Sequence, residues 1–397
     1  MSRIGIYGGS FNPPHLGHVL AAKEAIRALQ LDRLLVVPAA VPPHKKVPAE
    51  TPEPAVRRRL LAMAMADIPE AEICDVELER PGPSYTFETL QILSQRYPND
   101  TLFLMMGTDM FLSLHQWKHP EEVCGIAEIV LASRVQNGGK THTAILEQKA
   151  HLEQAYHARV QILNNDFIQI SSSTVRRMLT FGCAETYLNQ NVLETIQKER
   201  LYGVGRDLRN LPFAELKQVS LSLHKEKRIS HVIGCSETAV ALAKRWGADP
   251  TDAARAGILH DVTKALDGEE QLRLCEKYDI ITDNFERTHT KLLHAKTGSA
   301  VAARIFGENE AVCSAIYWHT TGKAAMSTLE KILYLADYME PNRDFDGVNQ
   351  VRTLAFQNLD AALLLGLNMA IEELRREGKE LGARSVEARD YLQMRKG

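Results

Sequence analysis

Arg3-Ile4-Gly5-Ile6-Tyr7-Gly8-Gly9-Ser10-Phe11-Asn12-Pro13-Pro14-His15-Leu16-Gly17-His18 decides the fold of the first half of this chain. The run Arg3–Tyr7 reads as a short strand, and an amphipathic helix is predicted over Leu16–Leu29. Glycines directly after a strand let the backbone turn tightly and approach a ligand closely. The helix that follows offers unpaired N–H groups and a partial positive charge to an anion. His15 and His18 are three residues apart in its first turn, so both rings can face that anion, and Gly17 between them leaves it room.

Working outward from this turn, residues 1–203 alternate β-rich runs with helical stretches. Predicted strands are Arg3–Tyr7, Arg33–Pro38, Ala71–Asp75, Thr101–Met106, Glu128–Ala132 and Val160–Leu163; predicted helices include Leu16–Leu29, Ala55–Ala66 and Thr86–Tyr97. Such alternation implies βαβ crossovers and a parallel sheet covered by helices, an α/β Rossmann-like arrangement. After Tyr202-Gly203-Val204-Gly205 the strand patterns stop, and the stretch through Leu211-Pro212 reads as a connector. Beyond it nearly every segment has helical periodicity, from Phe213–Leu223 to the last expected pair, Thr353–Gly366 and Leu367–Glu377. The expectation is an α/β domain over 1–205 and an all-α domain over 212–397.

The bulk properties agree with two ordinary globular domains. The 397 residues suit two domains of roughly 200 residues each. A hydrophobic content of 45% and a charged content of 24% are those of a chain that buries a core. A net charge of −3 argues against nucleic acid as the main partner. The six cysteines are scattered, with no Cys-x-x-Cys pair, and read as reduced thiols. The first residues lack the apolar core of a signal peptide, and there is no 18-residue apolar run, so a soluble, cytoplasmic protein is expected.

A second element carries related chemistry. In Ile170-Ser171-Ser172-Ser173-Thr174-Val175-Arg176 the hydroxyls can cap a helix, and Arg176 supplies a fixed cation for phosphate. Together, the two elements resemble the His-x-Gly-His nucleotidyltransferase superfamily, whose members join a nucleotide to a phosphate or related acceptor. Within it, residues 1–203 look like bacterial nicotinate-nucleotide adenylyltransferases. That closer resemblance rests on Pro42-Pro43-His44-Lys45, Ser84-Tyr85-Thr86-Phe87-Glu88-Thr89-Leu90, and Gly107-Thr108-Asp109-Met110 followed by Trp117.

The resemblance implies transfer of AMP from ATP to nicotinate mononucleotide, giving deamido-NAD and pyrophosphate, with magnesium carried by ATP. His15, His18, Lys45 and Arg176 would be catalytic. Substrate contacts would come from Gly8, Gly9, Ser10, Phe11, His44, Ser84, Tyr85, Thr86, Gly107, Thr108, Asp109, Trp117, Arg134, Ser171, Ser172, Ser173 and Thr174. Trp117 would pack on the pyridine, and Lys45 or His44 would meet phosphate. Nicotinamide mononucleotide and pantetheine phosphate stay open as alternative acceptors.

In the all-α half, residues able to bind metal sit in apolar helical surroundings: His231, His260-Asp261, His294, His319 and Asp337. Asp337 shares a helix face with Leu333, and a carboxylate so placed needs charge compensation, which a metal can provide. Their order resembles the HD-domain metal-dependent phosphohydrolases, and more closely the YqeK-like family over about 212–385. The quoted matches are His231-Val232-x-Gly234, Leu259-His260-Asp261-Val262-Thr263-Lys264, Leu293-His294-Ala295-x-x-Gly298, Tyr317-Trp318-His319-Thr320-Thr321-Gly322 and Ala336–Arg343. The resemblance implies symmetrical hydrolysis of diadenosine tetraphosphate to two ADP at a di-iron centre. His231, His260, Asp261 and Asp337 would hold one metal and His294 and His319 the other, with Asp261 bridging. Imidazole and carboxylate donors suit iron, manganese or other borderline metals alike. Lys264 and Arg343 are candidates for substrate phosphate or plain surface cations. Hydrolysis of another nucleotide, or nucleotide sensing without turnover, is the alternative.

Overall fold

Strands rich in Ile, Leu, Val and Met on both faces must be covered from both sides, and in the computed structural model they are. The structure describes residues 1–42, 48, 50–133, 140–164 and 170–395. The chain divides into two units, Met1–Arg206 and Asp207–Gly397.

In the first unit, strands β1 (Arg3–Gly9), β2 (Arg33–Pro38), β3 (Ala71–Ile73), β4 (Thr101–Met106), β5 (Glu128–Ser133) and β6 (Val160–Asn164) form one sheet in the order β3-β2-β1-β4-β5-β6. Every pairing is parallel; in the central pair Arg3 faces Thr101 and Tyr7 faces Met105. The helices are α1 (Leu16–Leu29), α2 (Pro54–Met65), α3 (Thr86–Arg96), α4 (Thr108–Ser113), α5 (Pro120–Ile126), α6 (Lys140–Tyr156), α7 (Ser172–Thr180) and α8 (Gln190–Lys198). Both sheet faces are dry. Ile4, Ile6, Leu35, Val37, Leu104 and Ile129 share one cluster, while Leu34, Val36, Phe103, Met105 and Val130 are buried on alternate positions. The expected strand over Ala71–Asp75 stops at Ile73, because Asp75–Glu77 winds into a 3-10 turn.

The second unit is entirely helical among its described residues: α9 (Phe213–Leu223), α10 (Ile229–Trp246), α11 (Pro250–Leu259), α12 (Gly268–Lys277), α13 (Asn284–Thr288), α14 (Leu293–Arg304), α15 (Glu310–Trp318), α16 (Thr328–Met339), α17 (Val348–Gln357), α18 (Leu359–Arg376) and α19 (Ala383–Met394). The α/β and all-α classes are therefore those expected. Asn210 N–H donates to Phe306 O (2.9 Å) and Leu211 O accepts from Arg255 Nη1 (2.8 Å), tying the start of this unit to its helices.

α10 ends at Gly247, a left-handed cap, and α11 opens with Asp249 accepting from Thr251 N and Pro250 in the first turn. The two helices cross closely: a Cβ on Gly257 would lie 2.5 Å from Ser236 Cα. The expected break between Gly366 and Leu367 lies instead at Asn358, whose side chain accepts from Ala361 N (3.0 Å) and caps α18. Gly366 is interior to α18, with the Tyr338 ring 3.5 Å from where its Cβ would be, so it marks a close approach and not a stop. Among the described residues, no helix is long and apolar enough to cross a membrane.

Candidate active sites

β1 and β4 are neighbours where the strand order reverses, the place where open parallel sheets leave a crevice for ligands. The segments following them carry Ser10–His18 and Gly107–Trp117. Gly8 and Gly107 would both point a Cβ into open space. Phe11 has φ 43° and is buried, its ring centroid 4.9 Å from that of His18 and 5.5 Å from that of Tyr7. His15 is the N-cap of α1, and its ring stacks on His18 with centroids 3.6 Å apart.

The tautomer of His18 follows from one bond. His15 N–H donates to His18 Nδ1 (3.2 Å), so in the neutral ring the proton sits on Nε2, which becomes a donor. Neutrality is enforced by burial, which pushes His18 down to about 3; burial and then the proximity of His18 hold His15 well below its ordinary value. This site therefore offers an anion hydrogen-bond donors on neutral rings beside a helix start.

Arg176 and the serines brace the same loop. Arg176 Nη1 donates to Asn12 O and Nη2 to Ser173 Oγ, while Ser172 Oγ donates to Pro13 O (3.0 Å). Ser171 caps α7 by accepting from Thr174 N (3.1 Å). The Arg176 guanidinium thus lies against the backbone of the loop that carries His15 and His18.

Ser84 ties the next element in, its N–H donating to Val41 O (2.9 Å) and its Oγ accepting from Ala40 N (3.1 Å). Tyr85 then caps α3, which Thr86 begins. Gly107 caps α4; Thr108 and Asp109 form its first turn, where an acid complements the helix dipole. Trp117 packs against the core cluster with Nε1 donating to Ser113 Oγ (3.3 Å). His44, Lys45 and Arg134 lie outside the described residues.

Three residues of this unit escaped the sequence reading. Arg57 is buried, with Nη1 donating to Ser10 O (2.7 Å) and Nη2 to Ala39 O (2.8 Å) and Ala40 O (3.2 Å). It hides in the run Arg57-Arg58-Arg59; its spacing of three and four from Leu60 and Leu61 was the available signal. Glu77 is a buried carboxyl, raised by burial, that accepts from Thr89 Oγ1 (2.8 Å) under the Ser84–Thr86 segment. Lys118 Nζ lies 4.5 Å from the Tyr85 ring centroid, a contact that no local pattern announces.

In the second unit, five helices bring the six metal-binding candidates together. His231 comes from the first turn of α10, His260 caps α11 with Asp261 next, His294 starts α14, His319 caps α15 and Asp337 lies on α16. The two oxygens of Asp261 face different partners. Oδ2 lies 3.5 Å from His260 Nε2 and 3.8 Å from His231 Nε2. Oδ1 lies 3.2 Å from His294 Nε2 and 3.7 Å from His319 Nε2. Asp337 Oδ1 joins the first group, 3.1 Å from His231 Nε2 and 3.8 Å from His260 Nε2.

The donor set fits a metal. The ligand atoms of His231, His260 and Asp337 all lie within 4.8 Å of one another, as do those of His260, Asp261 and His319. His231 Nε2, His260 Nε2 and Asp261 Oδ1 are buried without a hydrogen-bond partner, a costly arrangement that a cation would relieve. Burial alone would raise both carboxyls, yet His260 beside Asp261 and His231 beside Asp337 hold them well below the usual range. Burial pushes His294 down to about 4. Ionised carboxylates and neutral imidazoles are the forms that bind metal. His260, by contrast with His294, is drawn against its burial well above its ordinary value by Cys235 and Asp261, and a bound cation would have to displace that proton.

Cations ring this cluster. Arg228, not singled out in the sequence, pairs with Asp261 Oδ2. Lys264 Nζ lies 2.8 Å from His294 Nε2 and 3.6 Å from Asp261 Oδ1. Arg343 Nη2 donates to Asp337 Oδ1 (2.7 Å) and Nε to Asp337 O (2.9 Å). His224, also missed, has a buried Nε2 without a partner and feels the charge of Asp261.

Comparison with known proteins follows the same division. Residues 6–178 match the cytidylyltransferase-like family model, and residues 228–342 match the HD domain model. A curated protein of Shewanella sp. (strain ANA-3), named "Probable nicotinate-nucleotide adenylyltransferase", is 36% identical over 211 residues, spanning 50% of this chain and 99% of that protein. One of the same name from Carboxydothermus hydrogenoformans is 35% identical over 178 residues, spanning 45% of this chain and 86% of its own length. A crystal structure from Clostridium acetobutylicum, titled a predicted HD superfamily hydrolase involved in NAD metabolism, is 35% identical with a TM-score of 0.45, covering 47% of this chain and 98% of that one. Through its first unit this chain belongs to the nicotinate-nucleotide adenylyltransferase family, and its second unit carries an HD domain.

Proposed function

We propose that the first unit transfers AMP from ATP to nicotinate mononucleotide, forming deamido-NAD and pyrophosphate. The observation that carries this reading is that the Gly8–His18 loop and the Gly107–Trp117 segment follow the neighbouring strands β1 and β4 at the point where the strand order reverses, in a chain of this family. A phosphate oxygen of the acceptor attacks the α-phosphorus of ATP in line. The bond to the bridging oxygen breaks, and pyrophosphate leaves with the electron pair.

No protein nucleophile is needed; the chain positions the reactants and stabilises charge. Neutral His18 donates from Nε2 to the phosphate oxygens as charge builds, and the start of α1 adds its N–H groups. Arg176, Ser172 and Arg57 keep the loop in the shape that aims these donors. Trp117 stacks on the pyridine ring, and Ser84, Tyr85 and Thr86 line the acceptor side. Magnesium carried with ATP would supply neutralisation of phosphate charge.

The test is ATP-dependent pyrophosphate release by the full chain with nicotinate mononucleotide, nicotinamide mononucleotide or pantetheine phosphate as the separate acceptors. The highest kcat/KM is expected with the first. A preference for either other acceptor overturns the assignment of substrate, and silence with all three overturns the activity.

For the second unit, the proposal is a metal-dependent hydrolase that splits diadenosine tetraphosphate symmetrically into two ADP, with iron as the expected metal. Its support is the division of ligands about Asp261, with His231 and His260 at Oδ2, His294 and His319 at Oδ1, and Asp337 beside His231 and His260. Bound metals would supply Lewis acidity and charge neutralisation for a polyphosphate. Lys264 and Arg228 stand beside Asp261 to meet phosphate oxygens. Metal analysis of the purified chain, followed by ADP release from diadenosine tetraphosphate, tests this. Bound metal with no hydrolysis of any nucleotide points to a sensor instead.

A further inference from the structure

A histidine that binds metal through one ring nitrogen must keep its proton on the other, so the acceptor at that second nitrogen decides where the ligand atom points. Three of the four imidazoles around Asp261 solve this identically. His260 Nδ1 lies 2.7 Å from Gly257 O, His294 Nδ1 2.5 Å from Lys291 O and His319 Nδ1 2.6 Å from Ile316 O. Each acceptor is a carbonyl three residues back, within reach because His260 and His319 end helices and His294 follows the 3-10 turn Thr290–Leu292. A carbonyl only accepts, so the proton is on Nδ1 and Nε2 faces the cluster.

His231 is the exception. It sits in the first turn of α10, and its Nδ1 meets a side chain 109 residues away, Oε1 of Glu340 at 3.1 Å. We infer that Glu340 is the positioning residue that fixes the tautomer of His231 and so aims its Nε2 at the metal; this rests on the metal-centre reading above.

Glu340 is built for this task. It is 1% exposed and follows α16, three residues after Asp337. Its other oxygen, Oε2, accepts from Asn342 N and Asn342 Nδ2, both at 2.8 Å, and Asn342 Nδ2 also reaches Ser230 O (3.2 Å) at the start of α10. Opposite it stands Gly234, where a Cβ would lie 2.4 Å from Oε2, so the carboxylate rests against bare helix backbone.

The competing pull on the ring is weakened. Asp337 Oδ1 is also 3.1 Å from His231, on Nε2, but Arg343 already donates to that oxygen at 2.7 Å. A single turn, Glu340-Pro341-Asn342-Arg343, thus draws the proton to Nδ1 with one residue and discourages it at Nε2 with another. Of the four acceptors only this one is a side chain, so it is the one place where a substitution can misaim a ligand without removing it.

The isosteric change Glu340→Gln gives a sharp test. Asn342 presents two N–H groups to Oε2, so the amide oxygen must turn toward Asn342 and the NH2 toward His231. Nδ1 then has to accept, and the proton moves to Nε2. Glu340→Ala merely leaves Nδ1 without a partner. For the metal-stripped full chain, long-range 1H–15N spectra of labelled histidines should show Nδ1–H for His231 in the wild type and Nε2–H in E340Q. Titration of Co2+ against a chromophoric chelator should then rank wild type first, E340A second and E340Q last, with E340Q weaker on the order of 10- to 100-fold. A role in packing alone predicts the opposite order for the two variants. Wild-type tautomer and Co2+ affinity in E340Q would overturn the inference. If the wild type takes up no Co2+, the metal-centre reading falls, and the tautomer spectrum alone still decides what Glu340 does.

Discussion

Arg57 offers the most direct measure of how the first site is held. One buried guanidinium, 3% exposed, joins the carbonyl of Ser10 after β1 to those of Ala39 and Ala40 after β2. In Arg57→Lys a single ammonium can keep one of these bonds. Hydrogen bonds from a charged donor contribute about 1.5–3 kcal/mol each, so losing two should cost about 3 kcal/mol or somewhat more. Arg57→Met keeps the stem but donates nothing; the buried Ala39 carbonyl and the part-buried carbonyls of Ser10 and Ala40 lose their partner, and the cost should rise to about 4–6 kcal/mol, less whatever water recovers at the latter two. The assay is native-state hydrogen exchange read by peptide, in which segments of residues 1–206 report the opening free energy of the first unit. Exchange should quicken first across residues 8–18. Adenylyl-transfer kinetics supply the functional arm. A loop displaced by about 1 Å costs on the order of 10²-fold in rate, so kcat in R57K should drop by about that much. If R57M opens within about 1 kcal/mol of the wild type, the bracing role assigned to Arg57 is wrong.

Other outcomes can be set beside this one. His18→Ala removes the Nε2–H donor and should lower kcat about 10²- to 10³-fold; near-normal turnover would mean that the phosphate is held elsewhere. Because His18 is depressed to about 3, the unfolded chain binds a proton below about pH 6.5 that the folded chain refuses. Stability is therefore unaffected above that pH and falls as pH drops toward 3, at up to about 1.4 kcal/mol per unit. Urea unfolding should show the wild type losing about 2 kcal/mol more than His18→Gln between pH 6.5 and 5, and parallel pH slopes would contradict this. Gly257→Ala sets a methyl 2.5 Å from the Ser236 backbone, which cannot swing aside as a side chain can, and should cost about 3 kcal/mol in thermal unfolding of the second unit. Chelator treatment should lower the calorimetric transition of the second unit and leave that of the first in place; a shift in neither argues against a bound metal.

Much of the fold was legible because its signals are local. The exact limits of α1, β2 and β4 follow from apolar period and from glycine and proline punctuation. The misplaced break at Gly366 shows the limit of that reading. A glycine inside a helix looks like a stop until the Tyr338 ring packed against it is known. α19, with only Ala388 and Leu392 buried, has too little apolar pattern to be seen.

The same boundary runs through both sites. By itself the sequence determined which chemistry is carried: a glycine-rich turn with His15 and His18 at a helix start, and six imidazole and carboxylate donors in apolar helices. Residue type and short spacing suffice for that, since both travel with the chain. Only the tertiary structure decided what each group does to its neighbours. It set Arg57 and Arg176 on the loop carbonyls, split the oxygens of Asp261 between two groups of histidines, and placed Glu340 against His231 across 109 residues. Proton positions and ligand aim depend on distances of about 3 Å between segments far apart in sequence, and no local pattern encodes such distances.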